Sequence, residues 1–163
     1  TQRRTETATE GANGDTEDTD DTILVSVAAV ADAPSLIVAP ASGDEDSAIA
    51  LSISSALNDT DSSETLSIVI SGVPAGASLS AGTDNGDGSW TLTAAQLAGL
   101  TITPPSNSDA DFTLTVTATA TEGANGDTED TVDTILVSVA AVADAPSLTV
   151  APPSGDEDSP VPL

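Results

Sequence analysis

The 163-residue sequence contains no cysteine, histidine, lysine, methionine or tyrosine, and it has one tryptophan and one phenylalanine. Without cysteine the chain has no disulfides and no thiol chemistry, so any extracellular stability must have another source. Without histidine, cysteine, lysine or tyrosine, the usual general bases and activated nucleophiles are missing. Only carboxylate-pair chemistry of the glycosidase type remains, and no motif marks a cleft for it. The sequence therefore predicts that the protein is not an enzyme.

Positive charge is nearly absent as well. Arg3 and Arg4 are the only basic residues against 27 acidic ones, which gives a formal net charge of -25. Such an excess of like charge opposes a compact state, although a hydrophobic content of 38% in ordered patterns still favours folding. The acidic balance argues against nucleic acid and against anionic membranes as partners. No apolar run reaches the roughly 18 residues of a membrane-spanning helix, so we predict no direct membrane insertion.

An internal repeat organises the chain. The segment TATEGANGDTEDT runs from Thr7 to Thr19 and recurs from Thr119 to Thr131, a period of 112 residues (119 minus 7). The period exceeds the roughly 20 to 50 residues of solenoid and propeller repeats and suits a whole sandwich domain. We predict that residues 1–32 are the C-terminal strands of a preceding repeat, 33–144 one complete repeat, and 145–163 the start of the following repeat. The initial TQRRTE lacks the apolar alternation of its counterpart TLTVTA, so we expect this strand to pack poorly.

Strict alternation of apolar and polar residues is the main signal for secondary structure. Phe112, Leu114 and Val116 alternate with threonines in a row that ends at Thr121, and period two puts the two sets on opposite faces of a strand. Shorter alternating runs occupy 49–53, 66–70, 90–92 and 135–139. Asn85-Gly86 favours a tight hairpin, and 93–100 favours one helical turn. About seven short strands per repeat predict an all-β fold, an Ig-like (cadherin-like) β-sandwich in tandem repeats of about 112 residues.

Acidic residues cluster before the predicted strands and where one repeat meets the next. The clusters are Asp32, Asp44 to Asp46, Asn58 to Glu64, Asp109 with Asp111, Glu122 to Asp133, and Asp144. Calcium takes six to eight oxygen ligands from carboxylates, carbonyls and water, and bound ions would cancel the repulsion locally. Asp32, Asp44, Glu45 and Asp46 flank the first predicted strand, so we expect them to share a site with the loop of the preceding repeat. The alternative is that these acidic loops are only solvated and keep the protein soluble.

Six segments carry a resemblance to a known family. In chain order they are DEDS, ETLSIVISGVPAGASLSAG, GDGSWTLT, QLAGLTITPP, SDADFTLTVTATATE and TILVSVAAVADAP. They resemble the Ig-like or cadherin-like extender repeats of giant RTX-type bacterial adhesins, and are most similar to the repetitive regions of calcium-dependent ice-binding adhesins. The resemblance covers nearly the whole chain.

The resemblance implies a location, a function and a ligand set. Such repeats are secreted by a type I system, stay at the extracellular face of the bacterial cell surface, and project a ligand-binding region from it. Their partners are the neighbouring identical repeats of the same chain, and several Ca²⁺ ions per repeat stiffen repeats and junctions. Carried over to this sequence, the implied ligands are Asp32, Asp44, Glu45, Asp46 and Asp144, with Glu122 and Asp127 as loop partners, and Asp59, Asp61, Glu64, Asp109 and Asp111 as further candidates.

Two points of the resemblance stay open. The junction segment VADAP has one acidic residue where cadherin junctions have a longer acidic run, so fewer ions are expected there. A second interpretation is that the repeat itself binds carbohydrate, protein or ice, because ice-binding faces are often flat and rich in threonine and the Thr113 to Thr121 row has that composition. What the parent adhesin binds at its tip is not encoded in this segment.

Overall fold

The computed structural model describes residues 2–9, 12, 16–59, 61–150 and 157–158. Over these residues the chain forms short strands and one 3₁₀ turn, Ala94–Leu97. The strands are β1 (Gln2–Thr9), β2 (Thr16–Ile23), β3 (Ser35–Ala39), β4 (Ala41–Asp44), β5 (Ile49–Ala50), β6 (Ser52–Ala56), β7 (Glu64–Ser71), β8 (Ser78–Leu79), β9 (Thr83–Asp84), β10 (Trp90–Leu92), β11 (Thr101–Thr103), β12 (Phe112–Glu122) and β13 (Thr128–Ala140).

One large sheet and two small ones enclose a single aliphatic core. The large sheet has the order β4-β13-β12-β7-β10-β9, and the small sheets are β5-β11-β8 and β3-β6. Alternate residues of β12 are buried, because period two turns one set of side chains inward. Leu114 and Val116 from this strand join Ile49 and Ile102 of the small sheet in one cluster. The predicted all-β sandwich is therefore confirmed.

Two local predictions concerned the segments between strands. β9 and β10 form the predicted hairpin, but its loop runs from Asn85 to Ser89 and is longer than a two-residue turn. Gly86 and Gly88 both have a φ of 80°, a left-handed conformation that glycine adopts without steric cost. The predicted helical turn is the 3₁₀ turn, at whose start the backbone N–H of Thr93 donates to Gln96 Oε1 at 2.8 Å. No helix in the described part of the chain is long and apolar enough to cross a membrane.

The N-terminal hairpin repeats the pairing of the last hairpin. β1 and β2 pair Thr7 with Asp18, and β12 and β13 pair Thr119 with Asp130, so the register is the same after a shift of 112 residues. The surroundings differ, because Ala8 is exposed whereas Ala120 is buried. β1 thus lacks core packing along its described side chains, as the loss of alternation predicted. The predicted start of a following repeat is described as far as residue 150 and at 157–158, and the rest of that prediction lies outside the described residues.

Candidate metal site at the linker

Two buried glutamates face each other at one end of the large sheet. Glu64 begins β7 and Glu122 ends β12, and the two residues are direct partners in the antiparallel register. Each continues the inward row of its strand by one step, after the half-buried Leu66 in β7 and after Ala120 in β12. Their relative exposures are only 7% and 4%. The sheet therefore holds two carboxylates side by side within the protein, where charge is costly unless it is paired.

Part of this carboxylate pair has no protein partner. Oε1 of Glu64 accepts a hydrogen bond from the backbone N–H of Asp32 at 2.6 Å, and Oε1 of Glu122 accepts one from Ala124 at 2.8 Å. Oε2 of Glu64 is buried and has no hydrogen-bond partner among the residues that the structure describes. The sequence contains no basic residue after Arg4, so the sandwich itself supplies no cationic side chain. The sandwich therefore offers the pair no side-chain counterion.

Side chains around the glutamate pair also hold residues 24–34, which we call the linker because they connect β2 to the sandwich. Five backbone groups of the linker, between Ala29 and Pro34, form hydrogen bonds with side chains of the sandwich. The bonds are Asn125 Nδ2 to Ala29 O (2.6 Å), Ala31 N to Asp127 Oδ2 (3.2 Å), Asp32 N to Glu64 Oε1 (2.6 Å), Asn58 Nδ2 to Ala33 O (2.7 Å) and Thr131 Oγ1 to Pro34 O (2.6 Å). The carboxylate pair thus lies where the linker is fastened.

Two loops shape this linker end of the sandwich. The loop after β12 closes with Gly126 N donating to Glu122 O at 2.8 Å. Gly123 N donates to Ser63 O at 2.9 Å, and a Cβ at Gly123 would lie 2.9 Å from that oxygen. Because that contact is too close for any larger residue, glycine is required where the two loops meet. This contact between the two loops keeps Glu64 and Glu122 directly opposite each other in the sheet.

Asp59 and Asp61 organise the loop that leads into Glu64. Asp59 Oδ1 accepts from the backbone N–H of Asp61 at 3.0 Å, and Asp61 Oδ1 accepts from that of Ser63 at 2.7 Å. Hydrogen bonds from the Ser63 side chain and backbone hold the pKa of Asp61 below its ordinary value of 3.8. Both carboxylates therefore act as turn acceptors here, and residue 60 between them lies outside the described residues.

The remaining predicted ligands lie at the opposite end of the sandwich. Glu45 Oε1 accepts from Val142 N at 2.8 Å, Asp46 Oδ1 from Asn107 N at 3.0 Å, and Asp111 Oδ1 from Val139 N at 2.8 Å. Asp44 pairs with Ala140 at the end of β13, and Asp109 and Asp144 are exposed. We call this the exit end, because the chain leaves the sandwich there.

The two ends are too far apart to share an ion. The linker touches β13 at Thr131, whereas Asp44 pairs with Ala140. Nine residues of strand separate these points, which is about 30 Å at roughly 3.3 Å per residue. The expectation that Asp32 shares a site with Asp44 to Asp46 is therefore wrong. The error arose because the residues flank the same short segment in sequence, while β3 and β4 carry the chain along the length of the sandwich.

The potential ligands at the linker end are oxygen atoms, the type of ligand that a hard divalent cation prefers. Carboxylate and carbonyl oxygens are the ligands that calcium prefers, and an unpartnered buried oxygen, Glu64 Oε2, is present. Among the described residues no group of three or more acidic side chains is already gathered around one point. A cation at this end would therefore need linker carbonyls or water to complete its shell.

A cleft elsewhere on the sandwich was missed by sequence reasoning. It has a volume of about 480 Å³ and is lined by Pro74, Asp84, Asp87 and Trp90 among others. The sequence signal was the single tryptophan beside a glycine-rich turn, but the opposite wall comes from a different loop. Asp87 accepts hydrogen bonds from Ser89 N and Oγ at 3.0 and 2.6 Å, and these bonds lower its pKa below 3.8. A lowered pKa does not suit the protonated acid of a glycosidase.

Comparison with protein-family models, with curated proteins and with solved structures finds no match for this chain. The fold and the geometry of the linker end therefore carry the functional argument.

Proposed function

We propose that the chain is a calcium-stabilised extender module of a large adhesin on the bacterial cell surface, built from Ig-like repeats that project a ligand-binding region outward. The observation that carries the proposal is the buried carboxylate pair of Glu64 and Glu122 against the linker backbone, with one oxygen unpartnered. A spacer needs stiffness at its joints more than it needs a catalytic pocket. The pair lies beside the linker, where such a joint between repeats would be.

Calcium at this end would be held by Glu64 and Glu122, with Asp32, Asp127 and linker carbonyls as further donors. Bound there, the ion supplies positive charge that cancels the repulsion of the pair. Because the donors belong to both the linker and the sandwich, an ion that binds them restricts the angle between successive units. The acidic residues of the exit end form a second candidate group, although none of them is buried.

The expected energetic effect follows from mass action. Extracellular calcium sites have dissociation constants of about 10⁻⁴ to 10⁻³ M. At a tenfold excess of free calcium each site then adds about 1.4 kcal/mol to the folded state, and two sites add about 3 kcal/mol. A small domain has a total stability of only about 5 to 15 kcal/mol. Calcium removal should therefore lower the melting temperature measurably.

Thermal melts of the whole chain in calcium and in a chelator test the proposal, with magnesium at equal ionic strength as the control for screening. We expect calcium to raise the midpoint by several degrees and magnesium to raise it less. Isothermal titration calorimetry should show calcium binding in the same concentration range. Equal midpoints in calcium and chelator, together with no heat of binding, would reject the proposal.

A second candidate is that the repeat itself binds carbohydrate. The observation that favours it is the cleft beside Trp90, since a volume of about 480 Å³ lies within the usual range for small-molecule sites. Trp90 offers an aromatic surface and Asp84 and Asp87 offer acceptors for hydroxyl groups. Because Trp90 is the only tryptophan, its fluorescence reports this cleft alone. Titration with glucose, galactose and N-acetylglucosamine should shift the fluorescence emission of the wild type. An unchanged spectrum at a sugar concentration 50 times a dissociation constant of about 1 mM would argue against binding of sugars at this cleft.

A further inference from the structure

Asn125 connects the sandwich to the linker through both polar atoms of its side-chain amide. Nδ2 donates to the carbonyl oxygen of Ala29 at 2.6 Å, and Oδ1 accepts from the backbone N–H of Asp127 at 2.9 Å. Asp127 Oδ2 in turn accepts from Ala31 N at 3.2 Å. Because a carbonyl can only accept and a backbone N–H can only donate, both partners of Asn125 are satisfied by an amide and not by a carboxylate.

The residue after Asn125 exposes this amide to attack by the backbone. Gly126 has no side chain to hinder the approach of its nitrogen to Asn125 Cγ, and both residues are exposed to solvent. We infer that Asn125-Gly126 is a site of spontaneous covalent modification, at which loss of ammonia converts the asparagine to aspartate or isoaspartate and releases the linker from the sandwich.

The reaction needs only the chain itself and water. Gly126 N becomes a nucleophile when it loses its proton, and it then attacks Asn125 Cγ. The N–Cγ bond forms, the Cγ–Nδ2 bond breaks, and Nδ2 leaves as ammonia with a proton that replaces the one lost from Gly126 N. The product is a cyclic imide. Water opens it at Cγ to give aspartate, or at the backbone carbonyl of residue 125 to give isoaspartate.

A second Asn-Gly pair in the described part of the chain, Asn85-Gly86, shows what the surroundings contribute. Gly86 and Gly126 have nearly the same φ, 80° and 76°. Gly86 N donates its proton to a carboxylate, Asp84 Oδ1, at 2.8 Å. Gly126 N donates to a neutral backbone carbonyl, Glu122 O, at 2.8 Å. Because a nearby negative charge disfavours loss of a proton, Gly126 N is deprotonated more readily than Gly86 N.

Two carboxylates close to Asn125 in sequence accept hydrogen bonds from other backbone groups. Glu122 Oε1 accepts from Ala124 N at 2.8 Å, and Asp127 Oδ2 accepts from Ala31 N at 3.2 Å. These bonds partly compensate both negative charges without involving the proton of Gly126 N. The difference from Asp84, whose carboxylate accepts the reacting proton of Gly86 directly, therefore remains.

The oxygen of the reacting amide has a better donor at Asn125 than at Asn85. Negative charge develops on this oxygen during the attack, and a hydrogen bond aimed at it stabilises the transition state. Asp127 N donates to Asn125 Oδ1 at 2.9 Å, whereas Thr91 Oγ1 donates to Asn85 Oδ1 at 3.4 Å, which is long for such a bond. Both differences favour the same site, so Asn125 should react several-fold faster than Asn85 in the folded protein.

Neither product can replace the amide in its contact with the linker. An ionised carboxylate only accepts hydrogen bonds, so an aspartate at position 125 places an oxygen opposite the carbonyl oxygen of Ala29. Isoaspartate in addition inserts a methylene group into the backbone of the loop. Both products add a negative charge to a chain that already carries -25. The modification therefore loosens the linker irreversibly as the protein ages, whether or not calcium binds at the glutamate pair.

Ageing of the full-length chain tests the site. The protein is incubated with chelator at mildly alkaline pH, and peptic peptides are analysed by mass spectrometry, with isoaspartate detected by its enzymatic methylation. Residues 7–19 and 119–131 are identical, so Asn125 is followed in peptides that extend to Val132. The control is the same incubation in urea, where Asn85 and Asn125 should convert at similar rates. A folded protein in which Asn85 converts as fast as Asn125, or in which Asn125 stays intact while that of the unfolded chain reacts, would overturn the inference.

Hydrogen exchange measures the consequence for the linker. The backbone amides of residues 28–32 should exchange about tenfold faster in protein converted at Asn125 than in fresh protein. An unchanged melting temperature would show that the sandwich itself stays intact. Asn85→Asp adds the same charge at the other Asn-Gly pair and is the matched control, which should leave the exchange of amides 28–32 as it is in the wild type. Unchanged exchange after conversion of Asn125, or an equal increase in the control, contradicts the release of the linker.

Discussion

Neutralising one member of the buried glutamate pair should have opposite effects on stability with and without calcium. Glu122→Gln keeps the size of the side chain and its amide oxygen can still accept the hydrogen bond from Ala124. Without calcium the substitution removes the repulsion from Glu64, its direct partner across the strands. With calcium it removes a charged ligand. The stability curves of variant and wild type should therefore cross as calcium is added.

The magnitude without calcium follows from the pairing. Directly opposed residues of antiparallel strands have Cβ atoms about 5 Å apart. Two unit charges about 6 Å apart at an effective dielectric constant near 20 repel by about 3 kcal/mol. The variant should then be more stable than the wild type by up to about 3 kcal/mol in chelator. In calcium at ten times its dissociation constant, the wild type regains about 1.4 kcal/mol at this site and the variant does not. A full difference of about 3 kcal/mol is offset, and the two curves cross, only when calcium exceeds its dissociation constant by about 160-fold.

Urea unfolding followed by Trp90 fluorescence measures both free energies on one protein preparation. The control is Glu129→Gln, which removes one charge from an exposed position of β13 opposite Ala120. It should change stability by less than about 0.5 kcal/mol and leave the calcium response intact. If Glu122→Gln destabilises the protein equally in calcium and in chelator, the pair is a structural hydrogen-bonding element and the reasoning about charge is refuted.

Three further predictions concern packing, the linker and pH. Ile135→Ala should lower the free energy of unfolding in urea by about 2 to 5 kcal/mol, because it leaves a cavity in the core. Ile23→Ala changes the equivalent residue of the repeat at an exposed position and should cost under about 0.5 kcal/mol. Equal costs would mean that Ile23 is covered in solution. Asn125→Asp removes the amide that donates a hydrogen bond to the carbonyl oxygen of Ala29 at 2.6 Å. Hydrogen exchange of the backbone amides of residues 28–32 should then become about tenfold faster, with no change in the melting temperature. Unchanged exchange would show that this bond does not hold the linker in place. Hydrogen bonds from Ser89 lower the pKa of Asp87 in the folded state, so the ionised Asp87 stabilises the fold above its unfolded pKa and this stabilisation is lost as the pH falls through the lower folded pKa. NMR titration should therefore find a higher Asp87 pKa in Ser89→Ala than in the wild type. An identical pKa would contradict the assigned cause.

Alternation in the sequence was enough to predict most of the core. Leu114, Val116 and Ile135 were expected on an inward face and are fully buried, because side chains of a strand point to opposite faces at every step. The same rule, extended to the next inward position of each strand, turns Glu64 and Glu122 inward. Both were predicted as metal ligands from their place in acidic loops, but the alternating pattern of the strands also predicts that their side chains are buried. The extended row was the signal that could have identified them as a buried pair.

The grouping of the other acidic residues could not be obtained in this way. Asp32 and Asp44 are twelve positions apart in sequence (44 minus 32), yet they lie at opposite ends of β13. Their separation depends on β3 and β4 running along the sandwich, and on the parallel pairing of β4 with the end of β13. Such pairing joins residues about 97 positions apart, as in the bond from Val142 to Glu45. Local pattern carries no information about contacts of that range.

The sequence by itself determined the all-β class, the 112-residue period and the inward rows of each strand, since these depend on the two-residue period of strands and on identity between segments. The tertiary structure decided which acids meet, because convergence depends on sheet order and register. It joined Glu64 to Glu122 and fastened Asp32 beside them, and it sent Asp44 to Asp46 to the exit end. It also showed that the apolar row of one sequence, TILVSVAA, is buried as Ile135, Val137 and Val139 but exposed as Ile23, Val25 and Val27. Burial is a property of the neighbours that a segment finds, and identical residues with different neighbours have different roles.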